Sequence, residues 1–192
     1  MTVELGQRLV VIGTSGSGKT TTAGQIAQRL EIPHVELDAL HWEPDWTPVP
    51  LDVFRERTAQ ALSGDVWVVD GNYSKVRDIV WSLASTVVWL DYALPVIMWQ
   101  LVRRTLRRIL TREELWGGNH ESWRMALFSR ESILLWALQT YRRRRREYPM
   151  LFNRPEYAHL TVVHLHSPQD TRAWLLGLTM PRVAISQIDS SV

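Results

Sequence analysis

Apolar residues arrive along this chain in short unbroken runs, separated by stretches in which they recur every three or four positions. The first run, "RLVVI" at 8–12, ends at Gly13 and has the pattern of a strand covered on both faces. Behind it Ala23, Ile26, Ala27 and Leu30 fall at helical spacing, which predicts a helix over about 19–30. Pro33 breaks the chain, 35–37 reads as a second strand ending at Asp38, and "HWEPDWTPVP" predicts no regular structure. A helix follows at about 51–62, with Gly64 placed for a left-handed cap. Strands are predicted at 66–69, 86–90 and 161–165, with helices near 95–110 and 129–148 between the last two.

Strands this short, apolar throughout and separated by helices, imply a parallel sheet covered on both sides. Right-handed crossovers make that a doubly wound α/β domain, with ligands at the carboxyl ends of the strands. No internal repeat or linker interrupts it, so a single domain over about 1–180 is expected, with a poorly ordered tail at 181–192.

Composition narrows the setting. The 192 residues can bury one sizeable core, and a net charge of +2 does not by itself indicate a nucleic-acid or membrane partner. Lys19 and Lys75 are the only lysines among 22 basic residues, a bias that genome coding explains better than function does. Without cysteine there is neither a disulfide framework nor a thiolate metal site. No signal core is visible, and no apolar run approaches the ~20 residues of a membrane helix, so a cytoplasmic protein is expected.

The chemistry begins at "VIGTSGSGKTTT" (11–22). From Gly13 to Thr20 it follows the pattern glycine, four residues, glycine, lysine, then serine or threonine, between a strand and a helix as phosphate binding requires. Gly13, Ser15, Gly16, Ser17, Gly18, Lys19, Thr20 and Thr21 are the expected nucleotide-binding residues. Backbone N–H groups would cradle phosphate oxygens, Lys19 would reach the β- and γ-phosphates, and the Thr20 hydroxyl would hold Mg²⁺. Asp70, at the end of the third strand, is the expected carboxylate partner of the metal, with Asp38 and Asp91 ending other strands in competition. ATP with Mg²⁺ is the expected ligand, ahead of GTP, and the lack of an asparagine-lysine-x-aspartate guanine motif argues against a GTPase switch protein.

From Gly13 to Asp91 the chain resembles the adenylate kinase-like group of P-loop kinases. More narrowly, "LDALHW" (37–42) and "VVDGNY" (68–73) are similar to a bacterial branch labelled adenylate kinase-related or DNA topology modulation proteins. The resemblance implies a P-loop NTPase three-layer sandwich with a five-stranded parallel sheet in the order 2-3-1-4-5. It also implies an acceptor-side region after the second strand, at about 38–62, and a short helical lid after the fourth, at about 104–128. Asp70 and Gly71 match the aspartate-glycine-phenylalanine-proline-arginine motif of adenylate kinases, whereas Asn72, Tyr73 and Ser74 depart from it. Asp38 resembles the acceptor-binding aspartate of shikimate and gluconate kinases, and "LDALHW" is similar to the "DxLH" of the latter. A carboxylate there can orient a hydroxyl and take its proton, or merely cap a short turn. His41, Trp42 and Trp46 would line an acceptor pocket, with Trp46 the one that reads best as packing.

Arg103, Arg104, Arg107 and Arg108 recur at spacings of three and four, forming one stripe opposite Met98, Leu101, Val102 and Ile109. A charged stripe is usually a solvated face, but in this group lid arginines close on the phosphates, and Arg104 and Arg108 are the preferred catalytic pair beside Lys19 and Asp38. "TREE" (111–114) has the form of a capping box, and Gly117-Gly118 that of a hinge or a plain turn. In "YRRRRREY" five successive residues circle the helix and cannot share one ligand; by resemblance, Arg142 or Arg146 is expected to point into the cleft. His164 and His166 share one face of a strand and read as ordinary strand residues, because no third metal ligand stands at suitable spacing. "HSPQD" (166–170) is the expected base contact.

Together these features describe an ATP-dependent small-molecule kinase, monomeric or homodimeric, with a nucleotide or nucleoside as the leading acceptor and a sugar acid or other alcohol as the alternative. An ATP-binding regulator that touches nucleic acid through its arginines is the disfavoured competitor, and a bare ATPase the third.

Overall fold

The computed structural model describes residues 7–120 and 133–178. In chain order the strands are β1 (Arg8–Gly13), β2 (His34–Glu36), β3 (Trp42–Glu43), β4 (Thr47–Pro48), β5 (Trp67–Asp70), β6 (Thr86–Leu90) and β7 (Thr161–Leu165). The α-helices are α1 (Lys19–Leu30), α2 (Leu37–His41), α3 (Leu51–Ala61), α4 (Arg77–Leu83), α5 (Leu94–Thr111), α6 (Ile133–Phe152) and α7 (Pro168–Leu176). The main sheet is parallel, in the order β2-β5-β1-β6-β7. With the small β3–β4 hairpin set aside, that is the expected order 2-3-1-4-5.

Period-two alternation makes the three layers. Val10 and Ile12 of β1 face one side, where Phe54 of α3, Val80 and Trp81 of α4, and Tyr148 and Leu151 of α6 bury against them. Leu9 and Val11 face the other, covered by Ala23 and Ile26 of α1, Ile97 of α5 and Leu175 of α7. Because β1 lies between β5 and β6, its carboxyl end is flanked by Asp70 on one side and Leu90 on the other. The phosphate-type loop therefore leaves the sheet at its centre, where ligands of doubly wound sheets bind.

Several local expectations change. β2 ends at Glu36, and Leu37 starts a single helical turn, so Asp38 lies inside α2 and does not end a strand. "HWEPDWTPVP" is ordered: β3 pairs antiparallel with β4 around a short turn at Pro44–Trp46. Gly64 is not left-handed; α3 ends on Leu62, whose backbone N–H closes the last turn. The helix expected to stop at Tyr148 runs on through Pro149 to Phe152, although the proline nitrogen can make no helical bond there. In exchange Phe152 stacks on Trp81, ring centroids 5.4 Å apart, and Tyr148 meets Trp89 edge-on at 5.6 Å. "TREE" is not a capping box: Thr111 ends α5, donating its hydroxyl back to the Arg107 carbonyl at 2.9 Å, and Arg112 takes the left-handed cap. "HSPQD", the expected base contact, opens α7, where the Ser167 hydroxyl accepts from Asp170 N and the Asp170 carboxylate accepts from His166 N, both at 3.1 Å, an arrangement that leaves that expectation as it stood. The start of the helix expected at 129–132, the stretch 121–128 of the expected lid and the tail at 181–192 lie outside the described residues. No helix among the described residues is long and apolar enough to cross a membrane.

Candidate active site

β1 opens into the glycine-rich loop, and Ser17 N turns back to the Thr14 carbonyl at 3.0 Å. Gly16 holds φ 89, and a Cβ there would stand 2.8 Å from the Leu101 Cβ and 2.9 Å from the Ile97 carbonyl, so the crest of the loop rests directly on α5. Gly18, also left-handed, delivers the chain into α1. Ser15 is half-buried and Thr21 exposed on the first turn of the helix, while Ser17 is buried with an Oγ that has no partner among the described residues. At the base of the loop, Gly13 N donates to Asn72 Oδ1 at 3.2 Å, and Asn72 Nδ2 donates back to the Gly13 carbonyl. Tyr148 from α6 completes this strut with a 3.2 Å bond to Asn72 Oδ1. Asn72, a departure from the adenylate kinase motif in the sequence, thus ties three elements together.

Lys19 sits at the head of α1 amid opposed charges. Burial, then the Arg144 guanidinium, lowers its pKa to about 8, against the pull of Asp70 and Asp38; Arg104 adds to the lowering. The Thr20 hydroxyl donates to Asp70 Oδ1 at 3.0 Å, and His34 Nε2 lies 2.8 Å from Asp70 Oδ2. Asp70 is buried beside Glu36 in the β2–β5 register, and burial followed by this neighbouring carboxylate raises Glu36 above its ordinary pKa. Trp116 Nε1 steadies Glu36 with a 3.0 Å bond. A hydroxyl and a carboxylate at the foot of a phosphate-type loop form an all-oxygen donor set, which fits Mg²⁺. Asp91 is elsewhere: it bonds His164 and Arg145 rather than Thr20.

The Lys19 shift has a measurable consequence. A bound polyphosphate restores the ammonium that burial disfavours, so above pH 8 nucleotide binding takes up a proton, and affinity falls as pH rises through that value. Calorimetry in buffers of differing ionisation enthalpy should register roughly one proton taken up near pH 9 and almost none near pH 7; identical traces at both would contradict the assignment of the shift to the binding site.

On the acceptor side, Asp38 accepts a hydrogen bond from the Tyr73 hydroxyl. Burial and then the Asp38 charge raise the Tyr73 pKa far above its ordinary value, so the phenol stays a neutral donor. The capping alternative for Asp38 is removed, since the N-cap of α2 is Glu36 and no side chain caps that turn. His41 is buried, its ring 4.7 Å from those of Trp42, Phe54 and Tyr73, with an Nδ1 lacking a partner among the described residues. Burial outweighs Asp38 and lowers its pKa. Trp46 packs edge-on against Trp42 at 5.7 Å, the packing role expected of it.

The arginine stripe of α5 divides. Arg103 and Arg107 are exposed among Trp99, Val102, Leu106 and Leu110, so Val102 lies on their side of the helix rather than opposite. Arg104 and Arg108 are half-buried: Arg104 acts on Lys19, whereas Arg108 bonds Glu113 at 3.3 Å and lies over the Trp116 ring at 5.9 Å. Beyond α5 the chain clasps the β3–β4 hairpin. Asn119 accepts from Trp46 N and donates to the Glu43 carbonyl, both at 2.9 Å. Gly117, at φ 68, is a turn seated on Glu43, where a Cβ would come within 2.7 Å of the carbonyl carbon.

On α6 the residue that turns inward is Arg144. Arg142 and Arg146, the expected pair, are exposed. Arg144 is 8% exposed, its Nη1 has no hydrogen-bond partner among the described residues, and burial lowers its pKa. Its charge acts on Lys19, so two cations stand together at the glycine loop.

Solved structures share this fold. A gluconokinase from Sinorhizobium meliloti 1021 superposes with a TM-score of 0.52 at 21% identity, over 91% of this chain and 93% of the other. The fold is that of the P-loop small-molecule kinases. A shikimate kinase from Acinetobacter baumannii in complex with shikimate gives a TM-score of 0.51 at 14% identity, covering 90% of each chain. In sequence, a shikimate kinase of Dechloromonas aromatica (strain RCB) is 29% identical over 133 residues, 59% of this chain and 69% of that protein. No protein-family model matches the chain. These likenesses carry the P-loop kinase fold and not the narrower adenylate kinase-like branch that "LDALHW" and "VVDGNY" suggest. Within a P-loop kinase fold the structure has brought Lys19, Thr20, Asp70, Asp38 and Arg104 to one place. It adds Arg144, Asn72 and Tyr73, which local sequence reading did not single out as site residues.

Proposed function

We propose that this protein transfers the γ-phosphoryl group of ATP to a hydroxyl of a small acidic polyol, a compound of the sugar-acid class. The observations that carry the reading are Asp38, held by the Tyr73 hydroxyl, and the buried Arg144, whose Nη1 has no hydrogen-bond partner among the described residues; the charges of both act on Lys19. Asp38 offers a proton acceptor for a hydroxyl, and Arg144 offers a site for a carboxylate. The names of the relatives, shikimate kinase and gluconokinase, support an acidic alcohol as acceptor. This reading puts the sugar-acid alternative in place of the nucleotide or nucleoside acceptor.

In the proposed reaction the loop amides, Lys19 and Arg104 hold the triphosphate and offset charge as it moves onto the leaving ADP oxygen. Thr20 and Asp70 hold Mg²⁺, which when bound neutralises phosphate oxygens. Tyr73 fixes the orientation of Asp38, whose free oxygen accepts the acceptor's hydroxyl proton as the new P–O bond forms. His41, Trp42 and Phe54 wall off the acceptor from water, and Arg108 braces the clasp at Trp116.

An ATP-consumption screen tests the acceptor. Gluconate, shikimate and related polyhydroxy acids should stimulate turnover, whereas their uncharged alcohol counterparts and nucleoside monophosphates should not. Arg144→Met should raise the acceptor KM by about 10- to 100-fold, in line with the loss of a charged hydrogen bond, with little change in the KM for ATP. Stimulation by a nucleoside monophosphate alone, or an Arg144→Met effect confined to ATP, would contradict the reading.

A further inference from the structure

The carboxyl ends of β6 and β7 hold a second polar cluster that the phosphoryl-transfer reading does not use. Asp91 follows β6, His164 lies in β7 and His166 just beyond it. One donor atom from each lies within 4.8 Å of the others. His164 Nε2 is 3.1 Å from Asp91 Oδ2, and the two histidine rings are 4.1 Å apart. Sequence spacing hid this arrangement, because the third ligand comes from the neighbouring strand.

We propose that Asp91, His164 and His166 form a binding site for a divalent transition-metal cation of the Zn²⁺ class. Two imidazoles and a carboxylate suit such an ion, and three protein ligands leave a coordination position for water. Packing and backbone hydrogen bonds hold the three residues in place. The His164 ring stacks on Trp89 at 3.9 Å and 2°, Asp91 N bonds the Leu165 carbonyl at 2.8 Å, and the backbone of His166 is pinned by the Asp170 carboxylate at 3.1 Å. Zinc bonds of ~2.1 Å need a tighter cluster than 4.8 Å, and rotation of the exposed His166 side chain supplies the closure.

A cation already occupies one flank of this site. The Arg145 Nε is 2.9 Å from Asp91 Oδ1, and its side chain is 46% exposed and able to swing into solvent. Arg145 balances the buried carboxylate when no metal is bound, and a metal ion takes over that role on binding. Arg145 and the metal therefore compete for Asp91.

Zinc titration of the full-length, chelator-treated protein without nucleotide tests this by calorimetry. One equivalent should bind, His166→Ala should weaken it by about 10-fold or more without lowering the zinc-free melting temperature, and Arg145→Gln should tighten it. X-ray absorption at the zinc edge should show two imidazole ligands. His34→Ala separates the two locations, because His34 and Asp70 are the other histidine–carboxylate pair among the described residues. Zinc affinity unchanged in His166→Ala, abolished by His34→Ala or weakened in Arg145→Gln would overturn the proposal, as would no binding at all.

Discussion

Lys19→Ala is expected to lower kcat for phosphoryl transfer by at least about a hundredfold, the scale on which removing a positioned transition-state donor acts. The physical reason is visible in the free protein. Its ammonium is penalised by burial and by Arg144, so the folded protein holds a charge that is more comfortable in water. That cost is recovered only when phosphate oxygens arrive, which makes Lys19 a group of the liganded state. It follows that the substitution should not lower the nucleotide-free melting temperature at neutral pH, where the native site carries the unfavourable charge in full. Lys19→Met, which keeps the apolar stem, serves as the second variant. Undiminished transfer in both variants would remove the loop lysine from the reaction.

Asp38→Asn is expected to cut kcat by about 10²- to 10⁴-fold, the range of general-base catalysis, with the KM for ATP nearly unchanged. Asparagine keeps the volume of the side chain, and its carbonyl oxygen can still accept from the Tyr73 hydroxyl, so α2 and the aromatic packing around His41 should stay in place. What disappears is the ability to take a proton. Steady-state kinetics with ATP and acceptor varied in turn distinguishes the roles: parallel loss of ATP affinity and turnover would mean that Asp38 supports the loop electrostatically instead of acting on the acceptor.

The parts legible in the sequence were those written in adjacent residues. The central strands β1, β5 and β6 are buried, mostly apolar runs, and the glycine-lysine-threonine spacing of the loop is a local backbone requirement. Single-turn α2 is too short for helical periodicity to show, and the β3–β4 hairpin was hidden by prolines at positions where they do no harm. Arg144 was lost in a run of identical residues. Which of five arginines turns inward is decided by how α6 rolls against Trp81 and Trp89, through Tyr148 and Phe152, information that no local window contains. Tyr73 and Asp38 are 35 residues apart, and Asn72 and Gly13 are 59 apart; both contacts arise because β5 lies between β1 and β2 in the sheet. Asp91 and His164, 73 apart, meet for the same reason across β6 and β7.

The central claim concerns where the γ-phosphoryl group goes. Phosphorus NMR of the protein incubated with Mg²⁺, ATP and a polyhydroxy acid such as gluconate or shikimate follows it directly. A phosphate monoester resonance that grows in step with ADP, and vanishes with Asp38→Asn, is the predicted result; release of inorganic phosphate alone, or formation of a nucleoside diphosphate from an added monophosphate, would contradict it.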